Sequence, residues 1–140
     1  MRKFVFGVVL ITTLFALGKE PETTEQLKAR AEAAQPDKQP KLYLELAERQ
    51  VNDADHAYNT DVERAKSIME QAIQAAEKSG EMSVQTGKDL KKIEIGLRKL
   101  SKRLDDLSRS WALEDRPPLK AGIQKIESAR TKLLDRMFKK

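Results

Sequence analysis

Leu90, Ile93, Leu97, Leu100, Leu104, Leu107 and Trp111 recur at alternating spacings of three and four residues without a break. This is the heptad pattern of a coiled-coil seam, and it dictates a helix with one apolar edge. Burying seven such side chains would contribute on the order of 10 to 20 kcal/mol gross, against a comparable loss of chain entropy. The seam therefore needs a covering helix, supplied within the chain or by a second copy across a two-fold axis, so that a homodimer is one way to satisfy it.

The rest of the chain offers helices to cover it. Pro40 is suited to a first helical turn, and Tyr43, Ala47, Val51, Ala54 and Tyr58 follow on one face, with Leu44, Leu46 and Ala57 widening the stripe. Thr60 and Glu63 have capping-box spacing ahead of Ala65, Ile68, Met69, Ala72, Ile73 and Ala76, and Gly80 marks a stop. Pro117 and Pro118 break the seam helix, after which Leu119, Ile123, Ile126, Ala129, Leu133 and Met137 form a last stripe. These signals predict an all-α fold with helices over about 41–59, 61–79, 84–113 and 118–138. The expected object is an elongated antiparallel four-helix bundle of two helical hairpins within residues 41–138. The third helix, at about 45 Å, is its long central spine.

The N-terminus carries an address rather than a fold. Arg2 and Lys3 precede an apolar run from Phe4 to Leu17, and Ala16-Leu17-Gly18 places small residues where a signal peptidase cuts. The run spans only about 21 Å, short of the roughly 30 Å hydrocarbon core, which fits a cleaved secretory signal over residues 1–18 and leaves no transmembrane helix in the mature chain. With no cysteine anywhere, the chain has neither a lipid attachment point nor a disulfide, and a periplasmic or secreted location is expected. Residues 19–40, with Leu27 as their only large aliphatic side chain, read as a flexible leader in which Thr23 or Thr24 can cap a brief helix whose order depends on docking.

The segments Lys41 to Gln50 (KLYLELAERQ), Ser79 to Ile95, Glu114 to Leu119 and Leu133 to Phe138 resemble an uncharacterised family of secreted bacterial all-helical proteins. The resemblance implies a secreted helical protein and brings no activity, cofactor or site residue with it. The first hairpin is also similar to one tetratricopeptide unit, with Ala65, Met69 and Ala72 at that repeat's small, large and small positions. No second copy follows about 34 residues later, as an array requires.

Chemistry-bearing constellations are sparse. Asp53 and His56 have the spacing of a Glu-x-x-His metal element, with Glu45 and Glu48 one to two turns earlier, but the chain holds a single histidine and no matching element. No glycine-rich phosphate loop is present. Ser79, Ser83, Ser101, Ser108 and Ser110 are expected at helix ends or polar faces, outside the strand-turn-helix context of a nucleophile. Trp111, Tyr43 and Tyr58 fall on apolar faces and are expected in the core, while Met69, Met82 and Met137 are scattered gap fillers. The expectation is a protein with no catalytic site, no metal and no cofactor.

Charge is divided unevenly. Residues 19–87 carry a net −5 and residues 88–140 a net +8. Lys91, Lys92, Arg98, Lys99, Lys102, Arg103 and Arg109, with Lys88, flank the seam and are the candidate contacts for an anionic surface. Export and the lack of interleaved exposed aromatics make nucleic acid a poor partner. The sequence thus reads as a non-catalytic interaction or structural module of the bacterial envelope with an unidentified partner. The alternative is a basic envelope-binding protein that adsorbs to anionic lipid, lipopolysaccharide or acidic polymer through its third and fourth helices.

Overall fold

The computed structural model describes residues 21–139; the signal-like segment falls outside the described residues. Among these the fold is all-helical, with five α-helices packed against one another: α1 (Thr24–Ala33), α2 (Gln39–Tyr58), α3 (Val62–Thr86), α4 (Leu90–Ser110) and α5 (Pro117–Phe138). Single 3-10 turns at Pro36–Lys38 and Leu113–Asp115 lead into α2 and α5. The most extensive helix pairs are α2 with α3 and α4 with α5, α3 also lies along α5, and α1 docks on α2.

The core follows from the apolar stripes. Val51, Met69, Leu97, Leu104, Trp111, Leu119, Ile126 and Leu133 are all fully buried. The seam from Ile93 to Trp111 is buried inside one chain, with Leu90 half-buried at its start. The core cluster is built wholly from residues between Leu27 and Leu133, and a chain of residues 19–140 contains all of it.

Several boundaries differ from the sequence expectation. Gly80 does not stop the second long helix: a Cβ there would lie 3.3 Å from the Ala129 Cβ and 3.5 Å from Leu97 Cδ1, so the missing side chain lets α5 approach while α3 continues to Thr86. The stop is Gly87, whose φ of 72° is left-handed, followed by Asp89 at φ 58°. These two residues turn the chain and delay α4 to Leu90. Trp111 then leaves helical geometry with ψ 155°. The seam helix therefore has 21 residues and α3 has 25, so the long spine is α3 and not the helix of the heptads. The cap of α3 is Asp61, accepting from the Arg64 amide, rather than a Thr60–Glu63 box.

The leader is also more ordered than its composition suggests. Thr23 and Gln26 form a reciprocal capping box at the start of α1, and Leu27 and Ala31 are fully buried. Thr24 Oγ1 donates to Asp53 at 2.8 Å, Arg49 donates to the Glu22 carbonyl at 2.6 Å, and Gln39 donates to the Ala31 carbonyl at 3.1 Å. Ten residues make a marginal helix alone. Docking on α2 supplies what local propensity does not.

Candidate functional site

At 100° per residue, the side chains of α4 divide into two arcs. Ile93, Leu97, Leu100, Leu104 and Leu107 fill the buried one, and Lys91, Lys92, Arg98, Lys99, Lys102 and Arg109 occupy the exposed one, with Arg103 half-buried at its margin. Seven of the basic residues singled out in the sequence thus lie on the outward side or margin of one helix, and Lys88 lies in the turn just before it.

Ion pairing divides this face along its length. Toward the C-terminus, Lys102 meets Asp106 at 3.6 Å, Arg109 meets Asp105 at 2.7 Å and Asp106 at 3.8 Å, and Arg103 reaches Asp55 of α2 at 3.3 Å. Arg98 pairs with the buried Glu94 at 2.7 Å. Lys99 has Glu48 as a nearby counter-charge; burial, with help from Glu45, raises the Glu48 carboxyl, and Lys99 pulls it back. Among the described residues, Lys88, Lys91 and Lys92 form no ion pair.

Those lysines crowd the N-terminal end of α4. Asp89 makes no side-chain cap there, and the first turn holds no acidic residue. The charge of Lys88, Lys91 and Lys92 therefore adds to the positive end of the helix dipole, offset only by the Asp89 carboxylate, and raises the local potential.

Beside this face, a charge network ties α4 to α5. Glu94 is buried; one carboxylate oxygen accepts from Arg130 Nε at 3.0 Å and Nη2 at 2.7 Å, and the other accepts from Arg98. Burial pushes the Glu94 carboxyl up, and the hydrogen bonds from Arg130 and Arg98 outweigh it and hold the group below its ordinary range. Arg130 also reaches Glu127 at 2.7 Å. Sequence reasoning passed over Glu94; its signal was Arg98 one turn later, on the edge of an otherwise apolar arc.

Asp53 and His56 line an open polar groove of about 710 Å³ between the start of α1, α2 and α3, together with Thr24, Gln50 and Arg64. Glu45 and Glu48 do not line it. Among the described residues, no group of three or more His, Asp or Glu side chains is arranged to hold a metal ion. Asp53 instead holds α1 through Thr24.

At the other end of α4, Tyr58 stacks on Trp111 with ring centroids 4.3 Å apart and 7° between planes. The Tyr58 hydroxyl accepts from the Ala112 amide at 2.8 Å and donates to Asp115 at 2.7 Å, and Lys66 pairs with Asp115 at 3.1 Å. The hydrogen bonds from Tyr58 and Lys66 hold Asp115 below its usual carboxylate range. This cluster locks the turn into α5. Ser79, Ser83, Ser101 and Ser108 are buried rather than surface-facing; Ser79 donates to the Pro40 carbonyl at 2.7 Å and Ser83 to the Lys88 carbonyl at 2.6 Å, closing backbone gaps.

Three exposed large apolar side chains escaped sequence reasoning: Leu113, in the turn before α5, and two on α5 itself. Leu134 and Phe138 are 36% and 73% exposed on the last turns of α5. Their signal was spacing, since they stand four apart and off the register of Leu119, Ile126 and Leu133. No helix of the described residues is long and apolar enough to cross a membrane. Comparison with known proteins finds no matching family model, curated protein or solved structure.

Proposed function

We propose that the chain is a non-catalytic, exported helical module that docks on an anionic surface of the envelope through the outward side of α4. The finer architecture we assign is an elongated antiparallel bundle of α2 to α5, with α1 as an added brace. The observation that carries the reading is the cluster of Lys88, Lys91 and Lys92, exposed and without ion-pair partners among the described residues, at the uncapped start of α4. Ordinary surface lysines are interspersed with counter-charges. Here the ion-paired carboxylates of α4 begin only at Glu94 and gather toward its far end, and Asp89 beside Lys88 forms no ion pair among the described residues. Long-range attraction of this kind is screened by salt over about 8 Å at physiological ionic strength.

Export is inferred from the basic, apolar and small-residue order of residues 1–18. The test is retention of residues 19–140 on immobilised anionic vesicles and on lipopolysaccharide across a salt series. Retention at low salt, release near physiological salt, and loss of retention in Lys91→Glu/Lys92→Glu/Lys99→Glu are expected. Equal retention on neutral vesicles would overturn the proposal.

A further inference from the structure

The lysine cluster has apolar company. Arg136, near the end of α5, donates to the Val84 carbonyl at 3.1 Å, and its guanidinium stands so close to Gly87 that a Cβ there would lie 2.7 Å from it. The C-terminal end of α5 is thereby fixed beside the turn that carries Lys88. The Glu94–Arg130 pair fixes the rotation of both helices. One turn back from Glu94 on α4 stand Leu90 and Lys91, and one turn on from Arg130 on the antiparallel α5 stands Leu134, with Phe138 a turn further. Successive i+4 steps rotate 40° away from the core, so Leu134 and Phe138 lie beyond Arg130 on the solvent side, just as Lys91 lies beyond Glu94.

Lys88, Lys91, Leu134, Phe138 and Lys139 therefore share one end of the α4–α5 pair, Lys91 on the side of Leu134 and Lys92 about 100° further round α4, and all six are exposed. A leucine and a phenylalanine standing proud amid lysines match the layered chemistry of a bilayer interface, with anionic headgroups outside and acyl chains beneath. An acidic polymer or a free phosphate satisfies the lysines and leaves the apolar pair in water. We propose that this end of the molecule docks on an anionic phospholipid bilayer, the lysines contacting headgroup phosphates and Leu134 and Phe138 entering the acyl boundary. This inference rests on the anionic-surface reading above and adds the occupant and the inserting residues.

The test uses residues 19–140, which contain the whole core, with phosphatidylglycerol vesicles, phosphatidylcholine vesicles and soluble heparin as three probes. Leu134→Ala/Phe138→Ala is expected to lower affinity for phosphatidylglycerol vesicles about tenfold or more, to leave heparin binding unchanged, and to keep wild-type helicity because both residues are exposed. Lys88→Glu/Lys91→Glu/Lys92→Glu is expected to weaken both anionic probes. If the apolar variant binds phosphatidylglycerol like wild type while the charge variant does not, insertion is overturned and the anionic-surface reading survives. If wild type binds neither anionic probe, or the charge variant binds both undiminished, the two readings fall together. Wild-type binding to heparin with none to phosphatidylglycerol vesicles would also overturn the bilayer as occupant.

Discussion

Arg130 places two guanidinium nitrogens, Nε at 3.0 Å and Nη2 at 2.7 Å, on a single carboxylate oxygen of Glu94, leaving the other oxygen to Arg98. The pair bolts α5 to α4 across 36 residues of sequence. A buried carboxylate deprived of a partner costs more than the pair contributes, because its desolvation remains. Arg130→Met is thus expected to lower unfolding free energy by about 2 kcal/mol, and Glu94→Leu/Arg130→Leu is expected to recover most of that loss. Urea unfolding of the two variants checks it. A double variant as unstable as Arg130→Met would show that the pair stabilises in its own right.

The same carboxylate sets a pH dependence. Glu94 is held below its ordinary range in the folded chain, so its contribution is present above the unfolded glutamate value, about 4.3, and is lost as pH falls through the lower folded value. Asp115 acts in the same direction. Stability measured by urea unfolding should be flat near neutrality and fall below about pH 4. Glu94→Gln should reduce that slope.

Trp111 is the only tryptophan, fully buried against Tyr58, and its indole N–H has no hydrogen-bond partner among the described residues. Trp111→Ala is expected to cost about 3 to 5 kcal/mol. Trp111→Phe should cost much less, because it keeps an aromatic stack and removes an unsatisfied donor. Thermal unfolding followed by circular dichroism separates the two.

Leu27 is the sole large aliphatic side chain that α1 contributes to the core. Leu27→Asp should detach α1 while α2 to α5 stay folded. Hydrogen exchange provides the test: amides of residues 24–33 should lose protection, and those of α3 and α4 should keep it. Global loss of protection would make α1 an integral part of the core.

Because the seam is covered within the chain, residues 19–140 are expected to scatter light as a monomer at every salt concentration. Leu104→Asp, at a fully buried seam position, should unfold the molecule by burying an unpaired charge.

Periodicity made much of this fold legible. The stripes on α2, α3 and α5 and the heptads of α4 fall where the apolar spacings put them, since burial of a face leaves a direct imprint on the chain. What spacing does not carry is which neighbour a residue meets. Gly80 and Gly87 look alike in sequence, yet one yields to Ala129 across a helix interface and the other reverses the chain at φ 72°. Composition likewise hid α1, because a single leucine and a capping box suffice once α2 offers a surface. The basic side of α4 was readable residue by residue. Its split into paired and unpaired ends was legible only in part: Asp105 and Asp106 stand three or four residues from Lys102 and Arg109, whereas Asp55 reaches Arg103 from another helix.

The short links between neighbouring helices bear on how quickly the shape is reached. Three residues separate α2 from α3 and three separate α3 from α4, so most core contacts form between segments already close along the chain. Such local topologies cross their barriers in microseconds to milliseconds, since little loop-closure entropy must be lost before contacts reward it. On this topology the α2–α3 hairpin, the most extensive helix pair, is the expected nucleus, and α1, with one buried leucine, is expected to settle last and open first.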